Sequence, residues 1–492
     1  MLKAFVTIGV LQLLTMILQV VRTKTLAVTL GPEWLGVMGA VDRLTAVIVQ
    51  TVSLSFPFAA VRFLPRLWTS DREEFRRVLA GMRNVLALTV TVATTAAAAL
   101  TFVVPRVWGR ELAPYGTAVL AATATLPALA FLPFLQNVLA GRLRESQAMG
   151  VALANAVLLT AAAFLGGRWF GLVGYYTVYA VLGLALTVIV VHVIGRGLGT
   201  AADASRLGLT FALPRAVWQF TGVIFALAFL TPYAALFVYT KVLSTEGARV
   251  AGWMQAAIGV SLIVRVGLGS AHGVLLIPNV NTDATARDRV AWAFRFQAVL
   301  AMLAGVTVPL LVLFPDIVVK ILYSSELAPG ARFAGAFVLA EFIWLTAASS
   351  QPLILALDHL RFHVLQNMAV QLLLVAVAAL TVSRFGVSGA AIANLVANSA
   401  LYLSTLIFLR VRYAERLPRP VAVLTWFVIA SIAVAAAIGV RWPTVSWEAA
   451  AGKLGVYVVL VACLVPLLSQ TERAEVMNVV ARLRTRLQPA SR

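Results

Sequence analysis

The residues of this sequence that could do chemistry are basic side chains set inside long apolar stretches. Arg265, for example, lies between Val264 and Val266. A charge at the centre of a membrane helix costs at least about 2.5–3.5 kcal/mol on insertion scales, so a charged residue there indicates a functional role or a charged partner. Arginine binds phosphate through a planar, two-pronged guanidinium. The pattern predicts a cationic cavity for an anionic substrate, with Arg22, Lys24, Arg43, Lys241 and Arg265 as its candidate binding residues.

Two acidic residues in the same stretches leave a second interpretation open. Glu341 could form a structural ion pair with Arg265, in which case Arg265 would not contact substrate. Asp42 adjoins Arg43, but residues one apart on a helix do not face each other, so Asp42 is not simply the partner of Arg43. Asp42 and Glu341 are therefore candidate charge partners within the cavity. Arg22 and Lys24, at the end of the first helix, could alternatively extend to the membrane surface.

Residues for metal, cofactor or nucleotide chemistry are sparse. His359 and His363 stand four apart but lack the glutamate between them that makes such a pair a zinc motif. The single cysteine, Cys463, lies in an apolar stretch and supports neither a disulfide framework nor a thiolate metal site. The glycine-rich segment at 195–199 is not followed by Lys-Ser/Thr and so is no phosphate-binding loop. We expect no metal, no cofactor and no catalytic residue.

The elements that carry these residues are predicted to be membrane-spanning helices. Of the 492 residues, 61% are hydrophobic and 12% are charged, and the mean hydropathy is +0.94, whereas soluble domains carry about 25% charged residues. A helix needs about 20 apolar residues to cross a bilayer. The sequence predicts an all-α polytopic membrane protein with fourteen spans, near 4–21, 35–60, 80–103, 114–139, 148–166, 171–194, 216–239, 250–277, 291–314, 333–357, 363–382, 386–409, 421–440 and 453–469.

The formal net charge of +20 is explained by membrane topology. Short loops on the cytoplasmic side carry an excess of Lys and Arg. With both termini inside, the inner segments hold most of the basic residues, including the run from Arg62 to Arg83 and the C-terminal tail. We therefore expect a multi-pass protein of a bacterial inner membrane with both termini in the cytoplasm. No nucleic-acid-binding module interrupts the spans, so nucleic acid is not an expected partner.

An internal repeat divides the sequence. Thr23-Lys24 recurs as Thr240-Lys241, and Leu143-Arg144 recurs as Leu360-Arg361, at a common spacing of 217. The segment Phe-Gly-x-x-Gly begins at Phe170 and again at Phe385. This register predicts six-helix lobes at 1–200 and 201–412, followed at 413–492 by two further spans and a basic cytoplasmic tail. Two like-oriented lobes imply a pseudo-two-fold axis along the membrane normal and the geometry of alternating access.

Prolines, which break helices, occur in a few of the predicted spans, some of them beside polar residues such as Gln136-Asn137 and Ser349-Ser350. Proline is tolerated inside a membrane helix where the helix lines a cavity or moves. We therefore expect gating kinks, or else static bends, at Pro127, Pro133, Pro232 and Pro352.

The segment Arg22–Gly36, with its Leu30-Gly31-Pro32, together with the two Phe-Gly-x-x-Gly motifs, resembles bacterial polysaccharide flippases. The whole chain is similar to Wzx-type O-antigen and exopolysaccharide translocases of the multidrug/oligosaccharidyl-lipid/polysaccharide (MOP) flippase superfamily. The resemblance implies transport of undecaprenyl-pyrophosphate-linked oligosaccharide from the cytoplasmic to the outer leaflet. The partners it implies are that anionic lipid, the surrounding membrane lipid, and the polymerase and glycosyltransferases of polysaccharide synthesis.

Three alternatives remain open. The lipid II flippases also have fourteen helices and arginines in the first, second and eighth, as Arg22, Arg43 and Arg265 would be here. The multidrug/cation antiporters usually carry a carboxylate in the first helix, whereas residues 4–21 contain none. A membrane-embedded polysaccharide polymerase or glycosyltransferase would need carboxylates on a large outer loop, and the outer loops are short. A major-facilitator transporter is disfavoured because Asp71-Arg72 lacks the flanking glycines of that family.

Overall fold

A computed structural model describes residues 2–104, 106–141, 145–196, 210–271, 285–444 and 446–467. The described residues are almost entirely helical, which confirms the all-α class. In chain order the helices are α1 Leu2–Val52, α2 Phe56–Ser70, α3 Arg72–Val103, α4 Gly116–Thr123, α5 Leu126–Gly141, α6 Glu145–Ala162, α7 Arg168–Arg196, α8 Arg215–Glu246, α9 Ala248–Ala271, α10 Ala286–Leu313, α11 Pro315–Leu322, α12 Ala331–Ala348, α13 Gln351–Ala356, α14 Leu360–Tyr413, α15 Arg419–Arg441 and α16 Trp447–Leu464. The Leu143-Arg144 motif and the basic tail beyond residue 467 lie outside the described residues.

Membrane-spanning length accounts for most of these helices. Within the described residues, ten helical stretches are long and apolar enough to cross a bilayer, or eleven if the bent pair Ala113–Thr123 and Leu126–Ala140 is one span. Three of the ten are far longer than the roughly 20 residues a span requires. Each of the three is broken by a glycine with positive φ: Gly31, Gly171 and Gly386. Dividing these three at their glycines and counting the bent pair as one span gives fourteen apolar stretches within the described residues, which is the number of spans that the sequence predicts.

The glycines that break the helices repeat along the chain with the spacing of the sequence motifs. Gly31 has φ 74° and ψ 179°, and Gly247, 216 residues later, lies between α8 and α9 with φ 84° and ψ 171°. Gly171 has φ 62° and ψ −150°, and Gly386, 215 residues later, has φ 53° and ψ −129°. Side chains rarely adopt such angles, because a Cβ would clash with the backbone. The same glycine backbone conformations are thus found near the start and near the end of each predicted lobe.

A second pair of glycines allows two equivalent helix ends to touch. A Cβ built on Gly36 would overlap the carbonyl oxygen of Ala248, and one built on Gly252 would overlap that of Pro32. Pro32 and Ala248 are separated by 216 residues, as are Gly36 and Gly252. A contact in which each copy of a repeat makes the same approach to the other is what a two-fold relation requires.

We expect Gly36→Ala and Gly252→Ala each to lower the free energy of unfolding by about 1–3 kcal/mol, the usual cost of overpacking a close contact. The matched control is Gly222→Ala in α8, where an added Cβ meets nothing within 4 Å and alanine should be neutral or slightly stabilising. Thermal unfolding of the detergent-solubilised variants measures both. Gly36 or Gly252 variants as stable as the control would contradict the close approach of the two helix ends.

Internal contacts divide the chain into two compact units. Unit 1 comprises Met1–Gln255, Lys320–Ala328 and Asn367–Ala390, and unit 2 comprises Ala256–Val319, Pro329–Gln366 and Ala391–Arg492. Unit 1 has an apolar core centred on Phe56, Phe75 and Phe134. In unit 2 a smaller core surrounds Phe294 and Phe296. The lobe boundaries at residues 200 and 412 stay a prediction.

The terminal helix pair packs within unit 2. Helix α15 lies against α10 and α12, and small residues bring the backbones together. A Cβ on Gly439 would overlap the Val312 carbonyl oxygen, and one on Gly335 would overlap the Ala436 methyl. The opposite faces expose large apolar side chains, including Trp426 and Val458, which suits contact with lipid tails.

Candidate functional site

Unit 1 contains a cavity of about 260 Å³ that is lined by charged, hydrogen-bonding and apolar side chains. Its walls come from both halves of α1, from the start of α5, and from α6 and α7. Leu129, Leu159 and Val49 supply apolar wall. The hydrogen-bonding residues that line it are Arg22, Asp42, Thr45, Gln50, Thr125, Tyr175, Tyr176 and Tyr179. The break of α1 at Gly31 is what allows Arg22 and Asp42, twenty residues apart on one long helix, to face the same space.

Asp42 and three tyrosines form the hydrogen-bonded side of this cavity. The Tyr176 hydroxyl donates to Asp42 Oδ1 at 2.7 Å, while Asp42 itself is exposed to the cavity. The Tyr179 hydroxyl donates to Asn155 Oδ1 at 3.1 Å. Tyr175 and Tyr176 have ring centroids 5.1 Å apart, and all three tyrosines are at most 4% exposed. The three tyrosines are therefore closely packed side chains that contribute to the cavity lining.

Arg22 lines the same cavity and is only partly buried. It interacts electrostatically with Tyr175 and with Asp42. Within the described part of the chain, its Nε has no hydrogen-bond partner. Arg22 therefore lines the cavity together with a carboxylate of opposite charge, and its role in substrate binding stays a prediction.

Arg43 is held by uncharged groups and does not line the cavity. Its Nη1 donates to the Gly39 carbonyl at 2.7 Å and to Gln255 Oε1 at 3.0 Å. The guanidinium lies 4.1 Å from the centroid of the Tyr239 ring, and the Tyr239 hydroxyl donates to the Ala251 carbonyl at 3.0 Å. Cation–π contact of this kind stabilises a partly desolvated arginine. Arg43 thus ties the second half of α1 to α8 and α9.

The two predicted lysines also lie away from the cavity lining. Lys24 is exposed, and its Nζ donates to the Ile321 carbonyl at 2.8 Å. Lys241 is partly buried in α8, and its backbone carbonyl accepts hydrogen bonds from Ser244 and Thr245. Of the five predicted cations, the structure brings Arg22 alone to the lining of the described cavity.

In unit 2, Arg265 and Glu341 form the ion pair that was the alternative interpretation from sequence. Arg265 Nε and Nη2 donate to the two carboxylate oxygens of Glu341, the second at 2.8 Å. The guanidinium also lies 4.4 Å from the centroid of the Trp344 ring. The Glu341 side chain is 8% exposed and that of Arg265 is 45% exposed. Glu341 therefore depends on Arg265 for its charge partner, while Arg265 keeps one side open for another ligand.

The predicted prolines fall into two groups. Pro127 follows the break at Ala124–Thr125, where the chain bends by 44°, and Pro352 follows the turn at Ser349–Ser350 at the start of α13. Pro133 and Pro232 lie inside the continuous helices α5 and α8. Movement at any of these positions stays a prediction.

Sequence reasoning missed the tyrosine cluster. Tyr175, Tyr176 and Tyr179 lie on one turn of α7 directly after the Gly171-x-x-Gly174 break. Their positions i, i+1 and i+4 are a signal that could have been found, because i and i+4 share a helix face. Among the described residues, no cluster of three or more His, Cys, Asp or Glu is placed to hold a metal ion.

No family model and no curated protein matches the sequence. Solved structures with the same fold do match. An inward-facing multidrug resistance MATE family transporter of the MOP superfamily superposes with a TM-score of 0.63 at 11% identity, covering 84% of this chain and 96% of that one. An outward-facing multidrug resistance MATE family transporter of the MOP superfamily superposes with a TM-score of 0.59 at 12% identity, covering 86% of this chain and 96% of that one. A MOP superfamily transporter from Pyrococcus furiosus superposes with a TM-score of 0.62 at 14% identity, covering 84% of this chain and 96% of that one. That transporter is described as having a binding pocket of reverse polarity that suggests a different function. The chain has the fold of MOP superfamily transporters and is a multi-pass membrane protein.

Proposed function

We propose that this protein is a flippase of a bacterial inner membrane, with both termini in the cytoplasm, that moves undecaprenyl-pyrophosphate-linked oligosaccharide to the outer leaflet by alternating access. The fold supports membrane transport, because inward-facing and outward-facing transporters both superpose on this chain. A polymerase and glycosyltransferases acting on the same lipid-linked glycan are its proposed functional partners.

The observation that carries this proposal is the arginine on the first half of α1. Arg22 lines the cavity of unit 1, and residues 4–21 contain no carboxylate. Arginine at this place repels cationic substrates and offsets the Asp42 carboxylate in the same cavity, so the cavity has no net negative charge to attract a cation. The Pyrococcus furiosus transporter with its reverse-polarity pocket is a precedent for such variation within the fold. Arg265 adds a second half-exposed arginine in unit 2.

A second function, cation-coupled multidrug export, is favoured by one observation. Asp42 presents a carboxylate to the cavity, and a carboxylate within a membrane segment commonly marks an ion or proton pathway. The multidrug transporters among the structural neighbours favour the same function. This function would make Arg22 a counter-ion to Asp42 and not a substrate ligand.

Reconstituted transport separates these functions. We expect proteoliposomes of the full-length protein to translocate a fluorescent undecaprenyl-pyrophosphate-linked oligosaccharide and to leave a cationic dye untransported. Unlabelled lipid II should compete poorly, whereas strong competition would indicate a lipid II flippase. Proton- or sodium-driven dye efflux without lipid translocation would establish the exporter in place of the flippase. Liposomes without protein control for spontaneous flipping.

A further inference from the structure

The charges in the cavity of unit 1 are balanced. Arg22 and Asp42 are its two charged lining residues, and they carry opposite signs. A pyrophosphate bound there would gain from Arg22 but would also face the Asp42 carboxylate. Like charges at close range oppose binding most strongly where water is scarce. The cavity therefore favours a ligand without net charge over the anionic part of a lipid-linked saccharide.

The hydrogen-bonding groups point to the same class of ligand. Asp42 Oδ1 already accepts from Tyr176, so Oδ2 is the acceptor left for a ligand. Thr45 and Thr125 donate their hydroxyl hydrogens to backbone carbonyls of Asp42 and Ala122, and each oxygen keeps lone pairs to accept with. These acceptors need donors from the ligand, and a fully ionised phosphate has none to offer.

Arg22 supplies the complementary donors. Its side chain is only partly buried and lines the cavity, so its guanidinium N–H groups can donate to a ligand. A ligand group facing both Arg22 and Asp42 must therefore accept from one and donate to the other. Hydroxyl groups do both, and neighbouring hydroxyls on a ring place such groups side by side.

The size and apolar wall of the cavity complete the description. Its volume of about 260 Å³ lies just below the roughly 300–1,000 Å³ of sites for drug-sized ligands. Leu129 and Leu159 form an apolar surface suited to the C–H face of a sugar ring. One or two sugar rings fit this space better than a long oligosaccharide does.

We propose that the cavity of unit 1 is a subsite for an uncharged, hydroxyl-bearing sugar ring, with the Arg22–Asp42 pair as its hydrogen-bonding clamp. The source of the sugar rests on the proposed function, in which it is part of the lipid-linked glycan. Recognition of the ring itself does not require translocation. Under this assignment Arg22 contacts the glycan and leaves the pyrophosphate to be bound elsewhere.

Protection of an introduced thiol tests the subsite in the full-length protein. Cys463, the single native cysteine, is replaced by Ser, and Ala46 of the cavity lining is replaced by Cys. The rate of maleimide labelling is then measured with methyl α-D-glucopyranoside, with N-acetylglucosamine and with inorganic pyrophosphate. We expect at least one sugar to slow labelling and pyrophosphate not to do so. Protection by pyrophosphate alone, or by none of the probes, overturns the proposal.

Variants in the same background give the sharper readout. Asp42→Asn should weaken sugar protection about tenfold, as expected for loss of a hydrogen bond to a charged group, and should allow pyrophosphate to protect. Tyr176→Phe, a milder change, should weaken sugar protection less. The matched control is Thr177→Val, whose hydroxyl is exposed and donates to the Val173 carbonyl of its own helix. Unchanged sugar protection in Asp42→Asn, with thermal stability retained, overturns the clamp.

The outcomes for the subsite and for the proposed function are distinguishable. Sugar protection without translocation of lipid-linked oligosaccharide would keep the subsite and reject the flippase. Translocation without sugar protection would keep the flippase and reject the subsite. Labelling that responds to pH or sodium and to no sugar would mark Asp42 as an ion site and also reject the subsite.

Discussion

Alanine at position 265 is expected to lower the free energy of unfolding by about 2–4 kcal/mol, because it leaves Glu341 buried without its partner. Breaking a buried ion pair from one side costs about 3–5 kcal/mol. The Arg265 side chain is 45% exposed and Glu341 is 8% exposed, so water reaching the vacated space reduces that cost. Thermal unfolding in detergent measures the change. Arg295→Ala in α10, where the arginine is exposed, should change stability little.

The reciprocal variants show whether Arg265 also serves transport. Glu341→Gln should be milder than Arg265→Ala, because Arg265 keeps its contact with Trp344 and is less buried than Glu341. The double variant Arg265→Leu/Glu341→Leu should recover stability, since a buried pair replaced by apolar residues is often as stable. A double variant that regains stability but does not transport would indicate that Arg265 binds substrate. A double variant that flips lipid at the wild-type rate would show that the pair is structural. A double variant as unstable as Arg265→Ala would contradict the explanation that Arg265→Ala is destabilised by an unpaired Glu341 carboxylate.

The pairing of Arg265 with Glu341 could be predicted from sequence for a simple physical reason. An ionised group within an apolar span needs a partner, and few candidates exist inside the spans. For Arg22 the same reasoning named Asp42 as a candidate charge partner but did not single it out. Asp42 lies twenty residues from Arg22, beyond the nearer acid Glu33 and across the break at Gly31, and apolar periodicity does not reveal how two helices fold back on one another. Sequence therefore identified the charged residues but not which of them lie together: of the five predicted cations, Arg22 alone lines the described cavity with Asp42.

The helix breaks, too, could be predicted from the sequence only in part. Those at Gly171 and Gly386 were marked by a repeated motif, and their backbone angles require glycine. The break that ends α1 carries no such mark. Leu54 and Ser55 adopt φ values of 48° and 58° inside a stretch predicted to run unbroken from 35 to 60. Tertiary packing imposes this break, since Ser55 is fully buried and Phe56 lies in the core of unit 1.

The role of Lys453 was likewise not predictable, because it lies at the edge of an apolar run where a lysine normally extends to water. In the structure its side chain is completely buried. Its Nζ donates to Thr444 Oγ1 at 2.8 Å and lies 3.9 Å from Asp316 Oδ1. Asp316 in turn accepts from the Thr444 hydroxyl and backbone amide at 3.1 and 3.2 Å. This network joins α16 and the turn before it to α11.

Asp316→Ala is therefore expected to destabilise the protein by about 3–5 kcal/mol, because it leaves a fully buried ammonium without a counter-charge. Lys453→Met should cost much less, since methionine fills a similar space beside Phe314 and removes the charge that Asp316 offsets. The neighbouring exposed residue Lys320 provides the control, and Lys320→Met should be near neutral. Thermal unfolding compares the three variants, and the double variant Asp316→Ala/Lys453→Met should regain most of the lost stability. If Asp316→Ala is no less stable than Lys453→Met, the buried lysine does not depend on Asp316, and the terminal helices are held by their apolar and small-residue contacts alone.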